Sequence, residues 1–142
     1  MHPAAFGATV VTDRPSEVAA FYTQYLDLQV GIDLGWFVTL RRGTADWELA
    51  ICERGHPTVP AAVSAQTESA CVFGFIVDDA DKVAAQLTEG GVRLETEPVT
   101  EVFGQRHFFV RDPAGTWLDV IQLVEPDPEW VAANLQGQQN LA

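Results

Sequence analysis

The fold of this chain is decided by one stretch near its C-terminus, FGQRHFFVRDPAGTWLDV at residues 103–120. Two runs rich in aromatic and β-branched residues lie on either side of Asp112-Pro113-Ala114-Gly115. Proline fixes φ and glycine permits a positive φ, so the four residues favour a reversal of the chain. The stretch therefore predicts two strands, near residues 106–111 and 116–123, joined by a tight turn.

Upstream of this stretch, the second half of the chain predicts a strand, a helix and two further strands. These are CVFGFIV at 71–77, KVAAQLTE at 82–89 before Gly90-Gly91, and candidates near 92–95 and 98–102. The first half has the same order, with a strand at 6–12, an amphipathic helix at 16–26 capped by Asp13 or Ser16, and strands near 28–33, 36–41 and 46–53. Because aligning Asp13 with Asp78 also aligns two Val-Ala-Ala triplets, we interpret the chain as a tandem duplication.

The duplication predicts a single domain, residues 1–142, made of two units. Unit one covers about 5–54 and unit two about 71–125. Between them lies a linker, about 55–70, with Gly55, Pro57 and Pro60, and a tail covers 126–142. In the tail, Asp127 and Pro128 are typical of a helix start. Trp130 and Leu135 indicate that this helix docks on the body of the protein or on a partner.

Composition limits the classes of partner. The 142 residues are 47% hydrophobic and carry a net charge of −12, with Lys82 as the single lysine. Such a surface repels phosphate backbones and anionic lipid, so nucleic-acid and membrane partners are not expected, whereas cationic ligands are attracted. No basic and apolar leader is evident at the N-terminus, and Cys52 and Cys71 are expected to be buried thiols of a cytoplasmic protein.

A duplicated β-α-β-β-β unit that ends in RDPAGTWLDVIQ resembles the vicinal oxygen chelate superfamily, which includes glyoxalase I, extradiol dioxygenases, fosfomycin resistance enzymes and bleomycin resistance proteins. The segment 103–120 is similar to the family's WG-R-x-F-x-x-x-DP-x-G-N pattern. The resemblance implies an α+β fold of two tandem βαβββ units, with curved mixed sheets around a cleft and helices outside. In this family the two units pair either within a chain or across two chains. Of these arrangements, we expect a homodimer.

The resemblance places the metal ligands of the family's metalloenzymes on four positions. The two histidine positions fall on Gly7 and Val72, and the two carboxylate positions fall on Glu48 and Asp119. Two carboxylates without imidazole make a poor site for Zn, Ni or Fe. We therefore predict no metal and no cofactor. Among the three histidines, His2 and His56 are expected at the surface, while His107 lies in a strand, where it is either an ordinary strand residue or a functional one.

Strand alternation, applied to these positions, predicts the lining of the cleft. Gly7 and Gly74 leave space, Trp117 supplies an aromatic wall, and Glu48 and Asp119 supply negative charge. Trp36, Phe103 and His107 complete the candidate ligand contacts, although the sequence does not fix the direction in which they face.

Three functions are compatible with these residues. The first is a metal-free protein that binds an aromatic cationic compound and sequesters it, as in antibiotic resistance of the bleomycin type. The second is a glyoxalase-like lyase or isomerase, in which cavity carboxylates or a divalent metal assist proton abstraction. The third is an accessory domain with a vestigial cavity. Whether the chain is an enzyme is not decided by its residues.

Overall fold

A computed structural model of the protein describes residues 2–67 and 71–135. Its elements follow the predicted tandem order. They are β1 (Phe6–Thr12), α1 (Pro15–Tyr25), β2 (Gln29–Asp33), β3 (Phe37–Arg41), β4 (Trp47–Glu53), α2 (Ala61–Ser64), β5 (Val72–Ile76), α3 (Ala80–Glu89), β6 (Val99–Glu101), β7 (Gln105–Arg111), β8 (Trp117–Leu123) and α4 (Pro128–Asn134). The predicted α+β fold with two βαβββ units is confirmed.

The chain divides into two compact units. Unit 1 contains residues 1–72 and the turn segment Arg111–Trp117, and unit 2 contains Phe73–Val110 and the residues from Leu118 onward. Each unit has a four-stranded sheet of the same order, β1-β4-β3-β2 in unit 1 and β5-β8-β7-β6 in unit 2. In unit 1, β1 pairs with β4 in parallel, while β3 pairs with β2 and β4 in antiparallel fashion.

Unit 1 is held together by α1 packed on one face of its sheet. Helix α1 buries Val18, Phe21 and Tyr22, which share one helical stripe. On the sheet, Val10, Val38, Leu40, Leu49 and Ile51 are buried. In β1 the opposite face carries Gly7 and Thr9, which are exposed, as the predicted alternation requires.

Unit 2 repeats this arrangement with α3. Asp79 caps the helix, because its side chain accepts a hydrogen bond of 3.0 Å from the Lys82 N–H. Leu87 and Ala84 of α3 are buried, and the sheet contributes a further buried set, Phe108, Val110, Leu118 and Val120. The other face of this sheet carries the predicted ligand contacts of unit 2, His107 and Asp119.

Asp112 organises the turn between β7 and β8. Its Oδ1 accepts from the N–H groups of Ala114 and Thr116, at 2.8 and 2.9 Å, and its Oδ2 accepts from the Tyr22 hydroxyl at 2.6 Å. Arg14 donates to the Pro113 carbonyl at 2.7 Å. Burial, followed by the charge of Asp112, raises the pKa of Tyr22 far above its ordinary value. The turn motif is therefore structural, and its residues 112–113 are bonded to Tyr22 and Arg14 within unit 1.

Local details differ from the sequence predictions in four places. Arg14, rather than Asp13 or Ser16, occupies the N-cap of α1, and no side chain caps this helix, since Pro15 lacks an N–H and removes one of the groups in need of a partner. The linker contains the short helix α2. Near 92–95 only a single bridge forms, from Leu94 to Val110. Cys52 is buried, but Cys71 is exposed because it precedes β5.

Within residues 2–67 and 71–135, none of the helices combines the length and the apolar character that crossing a bilayer would need.

Candidate functional site

The first group of candidate residues lies in unit 1. Gly7 of β1 stands opposite Glu48 of β4 in the parallel ladder. The Glu48 carboxylate lies 3.7 Å from the Arg41 guanidinium, and its side chain is 40% exposed. Glu48 is therefore a solvated carboxylate with a cationic neighbour, and not a buried, unpaired charge.

The predicted aromatic residues of unit 1 have ring or charge partners of their own. Trp36 stacks on His56, with ring centres 3.6 Å apart and planes 1° from parallel. His56, predicted to be a plain surface residue, is thus half-buried and packs the linker against the start of β3. The guanidinium of Arg111 lies 5.5 Å above the ring of Trp117. In unit 2, a Cβ at Gly74 would stand 3.5 Å from Ile121 Cδ1, which is an ordinary van der Waals contact.

A second group, in unit 2, converges on His107. The imidazole Nδ1 lies 2.7 Å from Asp119 Oδ1, and Nε2 lies 3.3 Å from Glu101 Oε1. The three side chains come from neighbouring strands, Glu101 from β6, His107 from β7 and Asp119 from β8. The adjacent residue Phe108 is buried on the opposite face, so alternation directs His107 to the face away from the core.

The two carboxylates favour the charged form of His107. Its side chain is 12% exposed, and those of Asp119 and Glu101 are 18% and 37% exposed. Burial is the largest single effect and lowers the pKa of His107, but the hydrogen bonds and charges of Asp119 and Glu101 together outweigh it. The pKa of His107 is therefore raised. We call Glu101, His107 and Asp119 together the carboxylate–histidine clamp.

Two aromatic rings lie beside His107 in the clamp. The Phe109 ring centre lies 5.5 Å from that of His107, and Phe103 meets His107 edge to face at 6.5 Å. Phe103 also lies 6.0 Å from Trp130 of α4 at a tilt of 55°. The tail helix therefore docks on the body of unit 2, as Trp130 suggested. The imidazole held by two carboxylates thus lies beside two aromatic rings, and Trp130 lies against one of them, Phe103.

A family model described as the glyoxalase/bleomycin resistance protein/dioxygenase superfamily matches residues 4–120. The chain belongs to this superfamily. Among curated proteins, none matches the sequence.

Solved structures share the superfamily fold with this chain at low identity. TnmS3, an antibiotic binding protein from Streptomyces sp. CB03234, is 20% identical with a TM-score of 0.67, over 86% of this chain and 97% of that one. Lactoylglutathione lyase from Agrobacterium tumefaciens is 20% identical with a TM-score of 0.65, over 84% and 94%. UcmS2 is 20% identical with a TM-score of 0.70, over 85% and 98%. At this identity the similarity establishes the fold alone.

The residues at the superfamily's metal positions do not fit a metal ion. Gly7 and Val72 have no donor side chain, and Asp119 is hydrogen-bonded to His107. The two ring nitrogens of His107 face different carboxylates, one of Asp119 and one of Glu101. The nitrogen and oxygen atoms of the three side chains therefore do not converge on one point. In the described ranges 2–67 and 71–135, no group of three or more His, Cys, Asp or Glu is arranged to hold a metal. These donors cannot form the usual site for Zn, Ni or Fe.

The structure brings together His107, Asp119 and Phe103 among the predicted contacts. Gly7 and Glu48 are neighbours in unit 1, while Trp36, Gly74 and Trp117 pack in other local settings. Sequence reasoning missed Glu101 and Phe109 as neighbours of His107, and Trp130 as a neighbour of Phe103. The alternation of β7, which sets His107 and Phe109 on one face, is the signal that could have identified Phe109.

Proposed function

We propose that this superfamily member binds, without transforming it, a small organic molecule of aromatic and cationic character, and that it does so without a metal. The observation that carries the proposal is the carboxylate–histidine clamp with the rings of Phe103 and Phe109 beside its imidazole. Sequestration of such a compound, as in drug resistance, is the role we assign to it. Asp119, His107 and Phe103 are the central contacts, and Gly7, Glu48, Trp36, Gly74 and Trp117 stay predicted contacts.

The charge of the clamp supports a cationic ligand. With His107 protonated, two carboxylates and one imidazolium leave one net negative charge beside the rings of Phe103 and Phe109. A cation next to an aromatic face gains about 0.5–2 kcal/mol. The net charge of −12 adds a favourable field for cations over the whole surface.

The relatives in the superfamily support small-molecule binding in general. TnmS3 is described as an antibiotic binding protein, and the Agrobacterium protein as a lactoylglutathione lyase. The fold therefore accommodates both a binder and an enzyme.

One observation favours an enzyme as the second candidate. The 2.7 Å contact between His107 and Asp119 is the kind of pair that orients a general base, and a lyase or isomerase could use it for proton abstraction. For such a step Nε2 must be free to reach a substrate, yet Glu101 lies 3.3 Å from it. We prefer the binder because both ring nitrogens already have partners.

The test is direct binding of a matched pair of probes, measured by calorimetry and thermal shift. 1-Methylquinolinium is a flat aromatic with a permanent charge, and quinoline is its uncharged counterpart at about pH 8. We expect the wild type to prefer the cation, and Asp119→Asn to weaken its binding by about tenfold, as loss of a charge-assisted contact predicts. Glu89→Gln, which removes an exposed carboxylate at the end of α3, is the control for net charge.

The outcomes separate the two functions. No binding of either probe by the wild type overturns the aromatic-ligand proposal. Unchanged affinity in Asp119→Asn, combined with the loss of turnover of a small oxo-acid or thiohemiacetal substrate, establishes the enzyme instead. One equivalent of tightly bound transition metal, lost in Asp119→Asn, would overturn the metal-free part.

A further inference from the structure

We propose that the C-terminal helix α4 is a ligand-specificity element of this chain, with Trp130 forming one wall of the aromatic site and Glu101 pairing with the ligand's charge. The inference rests on the proposed function and names the residues that give it selectivity. Helix α4 begins at Pro128, beyond the residues 4–120 that match the superfamily model.

Two backbone hydrogen bonds hold the segment before α4 on the β6–β7 turn. The Asp127 N–H donates to the Val102 carbonyl at 2.9 Å, and the Val124 N–H donates to the Gly104 carbonyl at 2.9 Å. The Asp127 side chain accepts from the N–H groups of Glu129 and Trp130, at 2.8 and 3.3 Å, and so caps the helix. The start of α4 is thereby tied to the turn that carries Phe103.

Gly104 allows this close approach. Its φ is +99°, and a Cβ at this position would come within 3.0 Å of the Val124 carbonyl oxygen and 3.2 Å of Pro126 Cβ. A larger residue would have to push the C-terminal segment away, in addition to adopting a backbone conformation that L-residues disfavour. The docked position of α4 therefore depends on a glycine at the β6–β7 turn.

The docking places Trp130 on Phe103, the ring that contacts His107, rather than in a core. None of the α4 residues is buried, Trp130 is half-buried, and Phe103 is 43% exposed. The Trp130 and Phe103 rings lie 6.0 Å apart with their planes tilted by 55°, and we call them the tilted ring pair. Phe103 in turn contacts His107. From a helix that fills no core yet places a half-buried indole on the ring beside His107, we infer a ligand contact.

The geometry also separates the roles of the two carboxylates. Asp119 makes the shorter contact to His107, 2.7 Å, and is 18% exposed, whereas Glu101 makes the longer one, 3.3 Å, and is 37% exposed. A ligand cation can therefore contact Glu101 with less loss of the contacts to His107 than if it contacted Asp119. Indole is the strongest aromatic partner for a cation. The tilted ring pair therefore favours binding of a flat aromatic cation over its uncharged isostere.

The test compares the affinities of full-length variants for 1-methylquinolinium and for quinoline. We expect Trp130→Ala to weaken binding of the cation at least about tenfold and that of quinoline less, while Trp130→Phe stays within about threefold of wild type. We expect Glu101→Gln to lower affinity for the cation about tenfold and leave quinoline unchanged. Glu89→Gln is the matched control for charge.

Two variants that leave the aromatic rings intact test the docking itself. Gly104→Ala displaces the C-terminal segment, and Asp127→Ala removes the helix cap, so both should reduce the preference for the cation. Far-UV circular dichroism and thermal unfolding establish that each variant is folded. If wild type binds the cation and all Trp130 and Asp127 variants bind it equally well, the role of α4 is wrong and the proposed function stands. If the wild type binds neither probe, both proposals fail together.

Discussion

His107 couples the candidate site to pH, because its two ring nitrogens contact the carboxylates of Asp119 and Glu101 at 2.7 and 3.3 Å. The pKa of His107 is raised in the folded protein, where the carboxylates outweigh burial. A group with a raised folded-state pKa stabilises the native state fully below its unfolded pKa of about 6.5, and this contribution is lost as the pH rises through the folded-state pKa.

We therefore expect wild type to exceed His107→Gln in unfolding free energy by about 1–2 kcal/mol under mildly acidic conditions, and by less in alkaline buffer. Urea unfolding of both proteins at a series of pH values measures the difference, and NMR titration of the imidazole signals measures the pKa, with His56→Gln to assign them. A difference that is constant with pH, or that grows toward alkaline pH, would contradict the assigned protonation.

At the scale of elements, the contact between α1 and the β7–β8 turn is a buried hydrogen bond. The Tyr22 hydroxyl donates to Asp112 at 2.6 Å, and the same carboxylate orders the turn through Ala114 and Thr116. Tyr22 is fully buried and Asp112 nearly so. Removing one partner of such a bond leaves the other without a replacement from water, which makes the loss costly.

We expect Tyr22→Phe to lower the unfolding free energy by about 1–3 kcal/mol, since a buried carboxylate oxygen loses its donor. Chemical unfolding followed by circular dichroism measures this. Tyr25→Phe deletes the same hydroxyl from a half-buried position on the same helix, where water can replace it, so its effect should be smaller. Equal stabilities for the two variants would show that the Tyr22–Asp112 bond does not hold the turn in place.

For the whole molecule, exposed apolar side chains are the feature that bears on assembly. Phe6 and Ile32 of unit 1, and Ile76 and Leu123 of unit 2, are each more than half exposed. Large exposed apolar surfaces mark contacts with other molecules or bound ligands. We expect a homodimer in solution, and light scattering after size-exclusion chromatography at tens of micromolar chain measures it. A monomer mass over that range would contradict the dimer and leave the fold unchanged.

The sequence by itself determined the repeated βαβββ order, the DPAG turn and the core-facing side of strands such as β1, because strand and helix periodicity and turn chemistry are local properties of the chain. It also identified Asp127 as a helix cap for the same reason. The meeting of Glu101, His107 and Asp119, and the docking of Trp130 on Phe103, were decided by the tertiary structure alone. These contacts depend on which strands are neighbours, on their register and on the close approach that Gly104 allows, and none of these is encoded in a local pattern.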